Sequence, residues 1–492
     1  MIVMKFGGTS IADAESIANA ARIVTRSIDR KPLVVLSAGA EVTDALISVA
    51  RRAVRQDRKG AIEEVHALRL RHTGTARRLL DPEHAERVTA VLDEQFAHLE
   101  KLVKGVAILQ ELTPRVLDHF MSFGEGWSCL LFEQKLLQEG LHCEWIDSRE
   151  ILITDSKFNK ATPLFDVSAN RARQYIRPLA EGKTVVVTQG FVGSAKNGIT
   201  TTLGRGGSDY TAAILGSLLD AEEIQIWTDV SGILTAHPSI VPDARPVHEL
   251  TFNEAAEIAY FGAKVLHPST LLPAMKKNIP VRVLNAHRPD DRGTLITANG
   301  AHAAPAIPSN GESVVKSIAH RTGITIVRIQ SSRMLMAHGF LARVFDIFAR
   351  FGKSVDIIAT SEVGISVTVD DATGLDEIVE ELRQIAEVQV HPEKAVISIV
   401  GERMRSAPGV AGRAFTALGN AGISLDIISH GGSEINLTFV INQHQVKTAL
   451  RILHEEFFGT HTTPIASVRE AGHGYRKTEN KINYFRSLDM NR

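Results

Sequence analysis

The stretch IVMKFGGTS, residues 2–10, decides how the rest of the sequence is interpreted. Its first five residues form a short, mostly apolar run, which predicts a strand buried on both faces. Two glycines and two hydroxyl residues follow at the expected start of a helix, where backbone N–H groups can bind phosphate. Lys5 adds a full positive charge near the end of the strand. The spacing is neither that of a P-loop nor that of a dinucleotide-binding fingerprint, which excludes both of those sites.

Three further apolar runs predict strands that join the first one: PLVVLS (32–37), TVVVTQ (184–189) and IQIWT (224–228). Helical spacing of apolar residues appears between the strands, around residues 12–26, 44–54 and 210–219. This alternation predicts a doubly wound, mainly parallel α/β sheet. In such a sheet ligands bind beyond the carboxyl ends of the strands, so we expect the loops that follow the strands to line one pocket.

The last third of the chain contains an internal repeat. Residues 339–358, GFLARVFDIFARFGKSVDII, align with residues 409–428, GVAGRAFTALGNAGISLDII. Each copy reads as a strand, a helix opened by glycine, two strands and a second helix, which predicts two ferredoxin-like α+β modules. The expected organisation is a sheet domain at 1–298, a Pro/Ala/Ser-rich linker at 299–312, modules at 313–392 and 393–465, and a polar tail at 466–492.

The composition is typical of a globular protein, because 44% of the 492 residues are hydrophobic and 23% are charged. Lys and Arg number 55 against 56 Asp and Glu, so the net charge of -1 favours neither nucleic acid nor an anionic membrane as a partner. Cys129 and Cys143 have neither the number nor the spacing of a disulfide framework or a zinc site. Without a secretory signal or a membrane span in the sequence, we expect a cytoplasmic location.

Charged residues in glycine-rich surroundings mark the candidate chemistry. The guanidinium of Arg205, in TTTLGRGGSD, is suited to bidentate binding of a carboxylate. Glu125 in SFGEGWS could merely interact with a helix dipole, and Asp209 could merely cap a helix. The segments TDVSGI and FGAKVLHP, which contain Asp229 and Lys264, are ordinary turn and surface sequences when taken alone. Only the combination of these motifs in one chain is informative.

Together these motifs resemble the aspartokinase family of the amino-acid kinase superfamily, and the repeat resembles a pair of ACT modules. The resemblance runs from Lys5 to about residue 445 and includes KFGGTS, SAGAEVT, SFGE, GRGGSD, TDVSGI and FGAKVLHP in this order. It implies transfer of a phosphoryl group from ATP, with Mg²⁺, to the β-carboxylate of L-aspartate, the first step of lysine, threonine and methionine biosynthesis. It also implies feedback inhibition through the ACT modules. Two alternatives stay open, a non-catalytic amino-acid sensor and a kinase of another carboxylate substrate.

The resemblance also implies roles for individual residues. The catalytic residues would be Lys5, Gly8 and Asp209. The aspartate site would contain Ser37, Thr43, Glu125, Arg205 and Ser208, with Glu125 at the substrate ammonium and Arg205 at its α-carboxylate. ATP would lie against Lys5, Gly7, Gly8, Thr228, Asp229, Lys264 and Val265. No protein metal ligand and no tightly bound cofactor are expected, because the ATP phosphates would hold most of the Mg²⁺ coordination.

The first ACT module resembles the lysine site of lysine-inhibited aspartokinases. The implied effector residues are Met334, Gly339, Phe340, Leu341, Ser354, Val355 and Asp356, with Thr360, Ser361 and Glu362 on the adjoining strand. Lysine is the expected inhibitor, but Ala337 stands where those proteins can have a hydroxyl, which leaves threonine or no ligand open. An interpretation of all these residues as module core and caps also stays open. The second copy is expected to join subunits into a homodimer or a larger homo-oligomer.

Two places depart from the family pattern. Residues 234–239, LTAHPS, stand where the family has an aromatic residue followed by Thr, Asp, Pro and Arg, so the groups that stack on adenine and approach the phosphates are not matched. Glu41 lies in a loop that is small and uncharged in the family, and its carboxylate would repel an anionic substrate. We therefore expect weaker binding of ATP or aspartate than in a typical member.

Overall fold

The computed structural model describes residues 1–182, 184–262, 268–298, 314–331, 338–402, 404, 407–430 and 435–459. The strands of the first region are β1 (Ile2–Phe6), β2 (Pro32–Leu36), β3 (Cys143–Trp145), β4 (Ile153–Thr154), β5 (Val185–Gln189), β6 (Val192–Ala195), β7 (Thr200–Thr202), β8 (Glu223–Thr228), β9 (Glu249–Thr251), β10 (Val281–Asn285) and β11 (Thr294–Thr297). Its helices are α1 (Ala14–Arg26), α2 (Val42–Val54), α3 (Arg58–Leu79), α4 (Pro82–Leu109), α5 (Pro114–Met121), α6 (Phe123–Gln138), α7 (Ser148–Ile151), α8 (Phe165–Tyr175), α9 (Arg177–Glu181), α10 (Gly207–Leu218), α11 (Phe252–Tyr260) and α12 (Pro268–Lys277).

The second region contains the strands β12 (Ser317–Gln330), β13 (Ile358–Thr360), β14 (Gly364–Val369), β15 (Glu387–Val400), β16 (Ile427–His430) and β17 (Asn436–Asn442). Its helices are α13 (Phe340–Arg350), α14 (Leu375–Arg383), α15 (Val410–Asn420) and α16 (Val446–Phe458). Across the part of the chain that the structure describes, no helix has both the length and the apolar character needed to cross a bilayer.

The central sheet of the first region has eight strands in the order β3-β5-β2-β1-β8-β10-β11-β9. The strands from β3 to β10 pair in parallel with their neighbours, and β11 runs antiparallel to β10. The strands predicted from the sequence, β5, β2, β1 and β8, are adjacent in this order. The turns that follow them therefore meet at one edge of the sheet, and the predicted doubly wound fold class is confirmed.

The alternation of side chains along β1 sets the direction of Lys5. Ile2, Met4 and Phe6 are buried in the core that α1, α2, α3, α4 and α6 cover on one face of the sheet. Val3 is buried in the core on the other face, together with residues of α10. Because successive side chains of a strand point to opposite faces, Lys5 lies on the same face as Val3. The strand therefore directs its lysine towards α10, the helix that begins with the GSD sequence.

The second region is built on a six-stranded sheet in the order β13-β14-β12-β15-β17-β16. The two copies have the element orders β12-α13-β13-β14-α14 and β15-α15-β16-β17-α16, which confirms the predicted modules. The strands β12 and β15 pair antiparallel along most of their length. Val327 near the end of β12 packs in the core of the first module, whereas Ile318 near its start and Ile399 near the end of β15 pack in the core of the second. Both modules thus share two long strands, and the expected boundary at 392/393 falls inside β15; the domain limits stay a prediction.

The segment between β8 and β9 joins the two regions. Ala236 and Ile240 are buried in the core of the second module. The Thr235 hydroxyl lies 2.9 Å from Nε2 of His454 on α16. The backbone N–H of Ile318 on β12 donates a hydrogen bond of 2.8 Å to the carbonyl of Thr235. The turn that follows β8 is therefore continuous with a segment that packs against the second region.

Candidate active site

A cavity of about 540 Å³ opens beyond the carboxyl ends of β1 and β2. The structure brings these predicted residues to its walls: Lys5, Ser37, Thr43, Glu125, Arg205, Ser208 and Asp209. Residues that the motifs did not single out line it as well, among them Asp44, Leu117, Met121, Asn159, Phe191 and Thr202. The loops after β1, β2, β5 and β7 and the first turns of α2, α6 and α10 therefore meet in one cavity, whereas the loop after β8, which was expected to line the same pocket, supplies none of its lining residues.

Lys5 and Asp209 form an ion pair at this cavity. The Lys5 Nζ lies 2.5 Å from a carboxylate oxygen of Asp209, and the two side chains are only 10% and 13% exposed. Asp209 lies in the first turn of α10, which begins after Gly206 in the left-handed conformation, at φ 72°. A lysine ammonium has three N–H donors, so this pair holds Lys5 in place and leaves donors for an anionic ligand. The arrangement is suited to neutralising phosphate charge.

Glu125 is a buried carboxyl group in the first turn of α6 and is 3% exposed. Its Oε2 is buried and has no hydrogen-bond partner among the described residues. Burial raises the pKa of Glu125 to about 8, although backbone N–H groups of Glu125 and Ala38 act in the opposite direction. A ligand ammonium next to this carboxyl would supply the missing partner and favour the ionised form.

Arg205 is the exposed cation of the glycine-rich loop between β7 and α10. Its guanidinium has no ion-pair or hydrogen-bond partner within the described ranges. Gly204 and Gly206 on either side have φ of 80° and 72°, a conformation that other residues adopt only with strain. A free forked cation is suited to a carboxylate, so Arg205 and Glu125 together match the two charged groups of an α-amino acid.

The glycine turn after β1 touches the loop after β2. The backbone N–H of Ala40 donates a hydrogen bond of 3.0 Å to the carbonyl of Gly8. A Cβ on Gly8 would lie 2.8 Å from the carbonyl oxygen of Ala38, so this approach requires glycine. Glu41 follows in the same loop with a φ of 67°, and it is exposed. The residue that departs from the family pattern is therefore also in a strained backbone conformation.

Asp118 holds the loops on the far side of the cavity, and sequence reasoning missed it. This carboxylate of α5 is fully buried. It accepts hydrogen bonds from the backbone N–H of Asn159 at 3.0 and 3.1 Å, and from the backbone N–H and hydroxyl of Thr202 at 3.1 and 2.6 Å. Burial raises the pKa of Asp118, and these donors oppose the shift. The available signal was an acidic residue in the mostly apolar segment VLDHFM, residues 116–121.

The residues assigned to ATP lie in the turn after β8. The backbone N–H of Gly7 donates a hydrogen bond of 3.0 Å to the carbonyl of Trp227, so this turn lies next to the glycine turn after β1. Thr228 ends β8, and its hydroxyl donates to the exposed Asp229 at 3.1 Å. Lys264 and Val265 fall outside the described residues.

Residues 234–239, which depart from the family motif, contact the second region. The Leu234 carbonyl accepts a hydrogen bond of 2.8 Å from the hydroxyl of Ser317 on β12. Nδ1 of His237 lies 2.8 Å from the hydroxyl of Ser239, and the His237 ring lies edge-on to the ring of His320 at 5.9 Å. These contacts give residues 234–239 a role in the junction between the two regions.

The predicted effector residues occupy different surroundings. Met334 falls outside the described residues, Gly339 precedes α13 with a φ of 79°, Phe340 is buried in the first module, and Leu341 is 42% exposed. Ser354, Val355 and Asp356 lie in the loop before β13. Thr360 ends β13, but Ser361 and Glu362 lie in the turn after it, because the chain reverses where the Ser361 N–H donates to the carbonyl of Gly364 at 2.8 Å. The expectation that Ser361 and Glu362 lie on the strand is therefore wrong.

Asp356 connects the first module with the catalytic region. The hydroxyl of Tyr260, at the end of α11, donates a hydrogen bond to Asp356. The guanidinium of Arg321 lies 3.6 Å from the same carboxylate and 4.8 Å from the centre of the Tyr260 ring. Burial raises the pKa of Asp356, and the neighbouring Asp370 adds to this shift.

Known proteins resemble this chain over almost its whole length. The amino acid kinase family model matches residues 1–285, and an ACT domain model matches residues 397–457. Chloroplastic aspartokinase 3 of Arabidopsis thaliana is 39% identical over 96% of this chain and 84% of that protein. Lysine-sensitive aspartokinase 3 of Escherichia coli strain K12 is 36% identical over 93% of this chain and 99% of that protein.

The solved structures agree with this relationship. Crystalline E. coli aspartokinase III in complex with aspartate and ADP, in the R-state, has a TM-score of 0.80, with 34% identity over 93% of this chain and all of that one. The same enzyme in complex with lysine and aspartate, in the T-state, has a TM-score of 0.73 over 93% of this chain and 99% of that one. The doubly wound sheet, the paired modules and the similarity to these aspartokinases agree, and the chain belongs to the aspartokinase family.

Proposed function

We propose that this chain transfers the γ-phosphoryl group of ATP to the β-carboxylate of L-aspartate, giving 4-phospho-L-aspartate. The observation that carries this proposal is the single cavity lined by Arg205, Glu125 and Lys5. Two cations and one carboxyl group complement an amino acid that has a second acidic group. The E. coli relative crystallised with aspartate and ADP supports the same pair of ligands here.

The positions of these charges define how aspartate would be held. Arg205 binds the α-carboxylate, and Glu125 accepts hydrogen bonds from the α-ammonium once it has lost its proton. The β-carboxylate is then directed towards Lys5. Since an aspartate side chain has an ordinary pKa of about 3.9, it is ionised at neutral pH and needs no general base.

Catalysis in this arrangement consists of positioning and charge neutralisation. Lys5, held by Asp209, stabilises the negative charge that spreads over the transferring group in an in-line displacement. Mg²⁺ bound to the ATP phosphates supplies further neutralisation of that charge. Among the described residues no cluster of three or more His, Cys, Asp or Glu is suited to hold a metal ion.

An ADP-release assay on the purified protein tests the proposal. We expect turnover with L-aspartate and much less with L-glutamate or N-acetylglutamate, which also decides between the two alternative functions. Lys5→Ala should lower kcat by about 100-fold or more, because a charge that acts in the transition state is removed. Lys59→Ala, which changes a lysine whose side chain is 90% exposed on α3, is the matched control. Unchanged kcat for Lys5→Ala would contradict the assignment.

We extend the proposal to feedback inhibition by lysine. The lysine-sensitive E. coli relative and the loop around Asp356 support it. Inhibition should be measured with lysine, threonine and methionine, singly and in pairs; a flat response to all of them would remove the feedback role. A homodimer or larger homo-oligomer formed through the ACT modules, a cytoplasmic location and the ATP contacts of Lys264 and Val265 belong to the same proposal.

A further inference from the structure

A second cavity, of about 430 Å³, shares the helices α5 and α6 with the cavity of about 540 Å³ proposed above to bind aspartate, the aspartate cavity. It opens beyond the carboxyl ends of β3 and β5, where Trp145 and Gln189 are the last strand residues. Its other walls come from α4, α5, α6 and α7. Its volume is within the range of about 300 to 1,000 Å³ that small-molecule sites usually have. The proposed phosphoryl transfer uses none of the side chains that line this cavity.

Two histidine rings that line this cavity contact each other edge to face. The ring centres of His98 on α4 and His119 on α5 are 5.6 Å apart, and the ring of Phe123 lies within 6 Å of both. Neither imidazole makes a hydrogen bond to any residue that the structure describes. Their ring nitrogens are therefore free to bind a ligand.

Three basic side chains lie near His119. Burial lowers the pKa of His119, and His98, Arg149 and Arg115 lower it further. Arg149 lines the cavity, and its guanidinium donates three hydrogen bonds, of 3.0, 3.0 and 2.5 Å, to the carboxylate of Asp147. Glu94 is an acidic residue of the lining and is exposed. Each imidazole and the part of the Arg149 guanidinium that does not contact Asp147 offer N–H donors to the cavity, and an acidic group is suited to accept hydrogen bonds from all three.

The remaining lining is flat and apolar. The Trp145 indole is fixed by a hydrogen bond of 3.1 Å from its Nε1 to Oε1 of Gln189. The Phe123 ring packs against both histidine rings. Aromatic faces that are already ordered favour a planar ring in the ligand.

From these features we propose that the second cavity binds a small organic anion with a planar ring, whose acidic group lies between His98, His119 and Arg149 and whose ring lies against Phe123 and Trp145. The site is distinct from the aspartate cavity but shares two of its walls. His119 and Asp118 are neighbours on α5, and Phe123 and Glu125 are two residues apart on α6. A ligand in the second cavity therefore contacts the helices that position Glu125 and, through Asp118, the loops at Asn159 and Thr202.

Calorimetric titration of the full-length protein with phenyl phosphate tests this site. ADP and L-aspartate are present in excess, so that the substrate cavity does not bind the probe. Inorganic phosphate and phenol are titrated separately, since each has only one half of the proposed ligand. We expect phenyl phosphate to bind about tenfold more tightly than either of them, because inorganic phosphate lacks the ring contacts and phenol lacks the anionic acceptors.

His119→Gln should weaken phenyl phosphate binding by about tenfold, and His98→Gln should weaken it in the same direction. His142→Gln, at an exposed histidine that does not line the cavity, is the matched control and should bind normally. Thermal unfolding of each variant identifies any loss of binding that comes from misfolding. The site is refuted if phenyl phosphate does not bind at about 10 mM, or if both cavity variants bind it like the unsubstituted protein. Since the readout is binding and not turnover, these outcomes are independent of the proposed kinase activity.

Discussion

At the scale of single residues, the carboxyl group of Glu125 makes aspartate binding depend on pH. The empty site keeps the proton on Glu125 up to a pH of about 8. Holding a ligand ammonium requires the ionised form, so binding must release this proton below that pH. We expect KM for aspartate to rise as the pH falls from 8 to 6, by up to about tenfold per unit, with a smaller change in kcat. Initial rates between pH 6 and 9 measure this, and a KM that stays constant over that range would contradict it.

The raised pKa of Glu125 also makes the free energy of unfolding depend on pH. An unfolded glutamate loses its proton near the ordinary value of 4.5, whereas the folded one keeps it to about 8. The stabilisation from the buried neutral carboxyl is thus complete below pH 4.5 and is lost as the pH rises through 8. Glu125→Gln should abolish aspartate binding. Because glutamine cannot ionise, the free energy of unfolding of this variant should fall less between pH 6 and 9 than that of the unsubstituted protein. Denaturant unfolding at several pH values checks the sign.

Glu41 provides a second prediction at this scale. Its φ of 67° costs free energy for a residue with a Cβ, and its charge lies in the loop that contacts Gly8. Glu41→Gly should raise the free energy of unfolding by about 0.5 to 1 kcal/mol and lower KM for ATP or aspartate. Gln110→Gly is the control, since Gln110 has a φ of 54° at the end of α4 and carries no charge. It should gain stability without any change in KM; equal KM values for both variants would refute the charge argument.

At the scale of elements, the approach of β5 to α10 leaves no space for a side chain. A Cβ on Gly190 would lie 2.5 Å from the Cβ of Ser208, in the first turn of α10. Gly190→Ala should therefore displace the turn that carries Asp209, lower stability by about 1 to 3 kcal/mol and raise KM for aspartate. Gly74→Ala in α3, where nothing lies within 4 Å, should stabilise by about 0.5 to 1 kcal/mol instead. Steady-state kinetics and thermal unfolding of both variants test these two expectations. A normal KM for aspartate in Gly190→Ala would contradict the predicted displacement of the turn.

The elements also show what the sequence could predict. The strands β1, β2, β5 and β8 were predicted to within about one residue, because short apolar runs bounded by glycine depend on local sequence alone. Their adjacency then brought Lys5, Glu125 and Arg205 to one cavity. Asp118 could not be predicted, since its role depends on hydrogen bonds to residues 41 and 84 positions away. The motifs likewise did not indicate the long pair α3 and α4, whose position depends on packing against α2 and α6.

At the scale of the whole molecule, Tyr260 links the catalytic region to the first module. In the present conformation its hydroxyl and Arg321 hold Asp356, one of the residues proposed to bind the effector. An effector ammonium would have to compete with these groups. Tyr260→Phe should therefore let lysine inhibit at a concentration about five- to tenfold lower, with basal kcat almost unchanged. The control is Tyr175→Phe, whose hydroxyl makes no hydrogen bond among the described residues. An unchanged or higher inhibitory concentration for Tyr260→Phe would contradict the link.

The packing of residues 234–241 explains one departure from the family pattern at the same scale. The family motif indicated only that residues 234–239 lack the groups that stack on adenine and approach the phosphates. In the structure Ala236, Ile240 and Val241 belong to the core of the second module, and Arg451 of α16 donates a hydrogen bond of 3.0 Å to the Ile240 carbonyl. Such contacts between regions could not be predicted from a motif, because they depend on where the second module docks.

The two long strands also restrict how this protein can be made and dissected. Residues 317–322 pair with residues 395–400, so the start of β12 remains without its partner until the ribosome has synthesised some eighty further residues. A fragment that begins at residue 393 would lack this strand and expose a row of unpaired backbone groups on β15, an edge that favours aggregation. We therefore expect a stable regulatory fragment only when it begins before residue 315 and retains both copies.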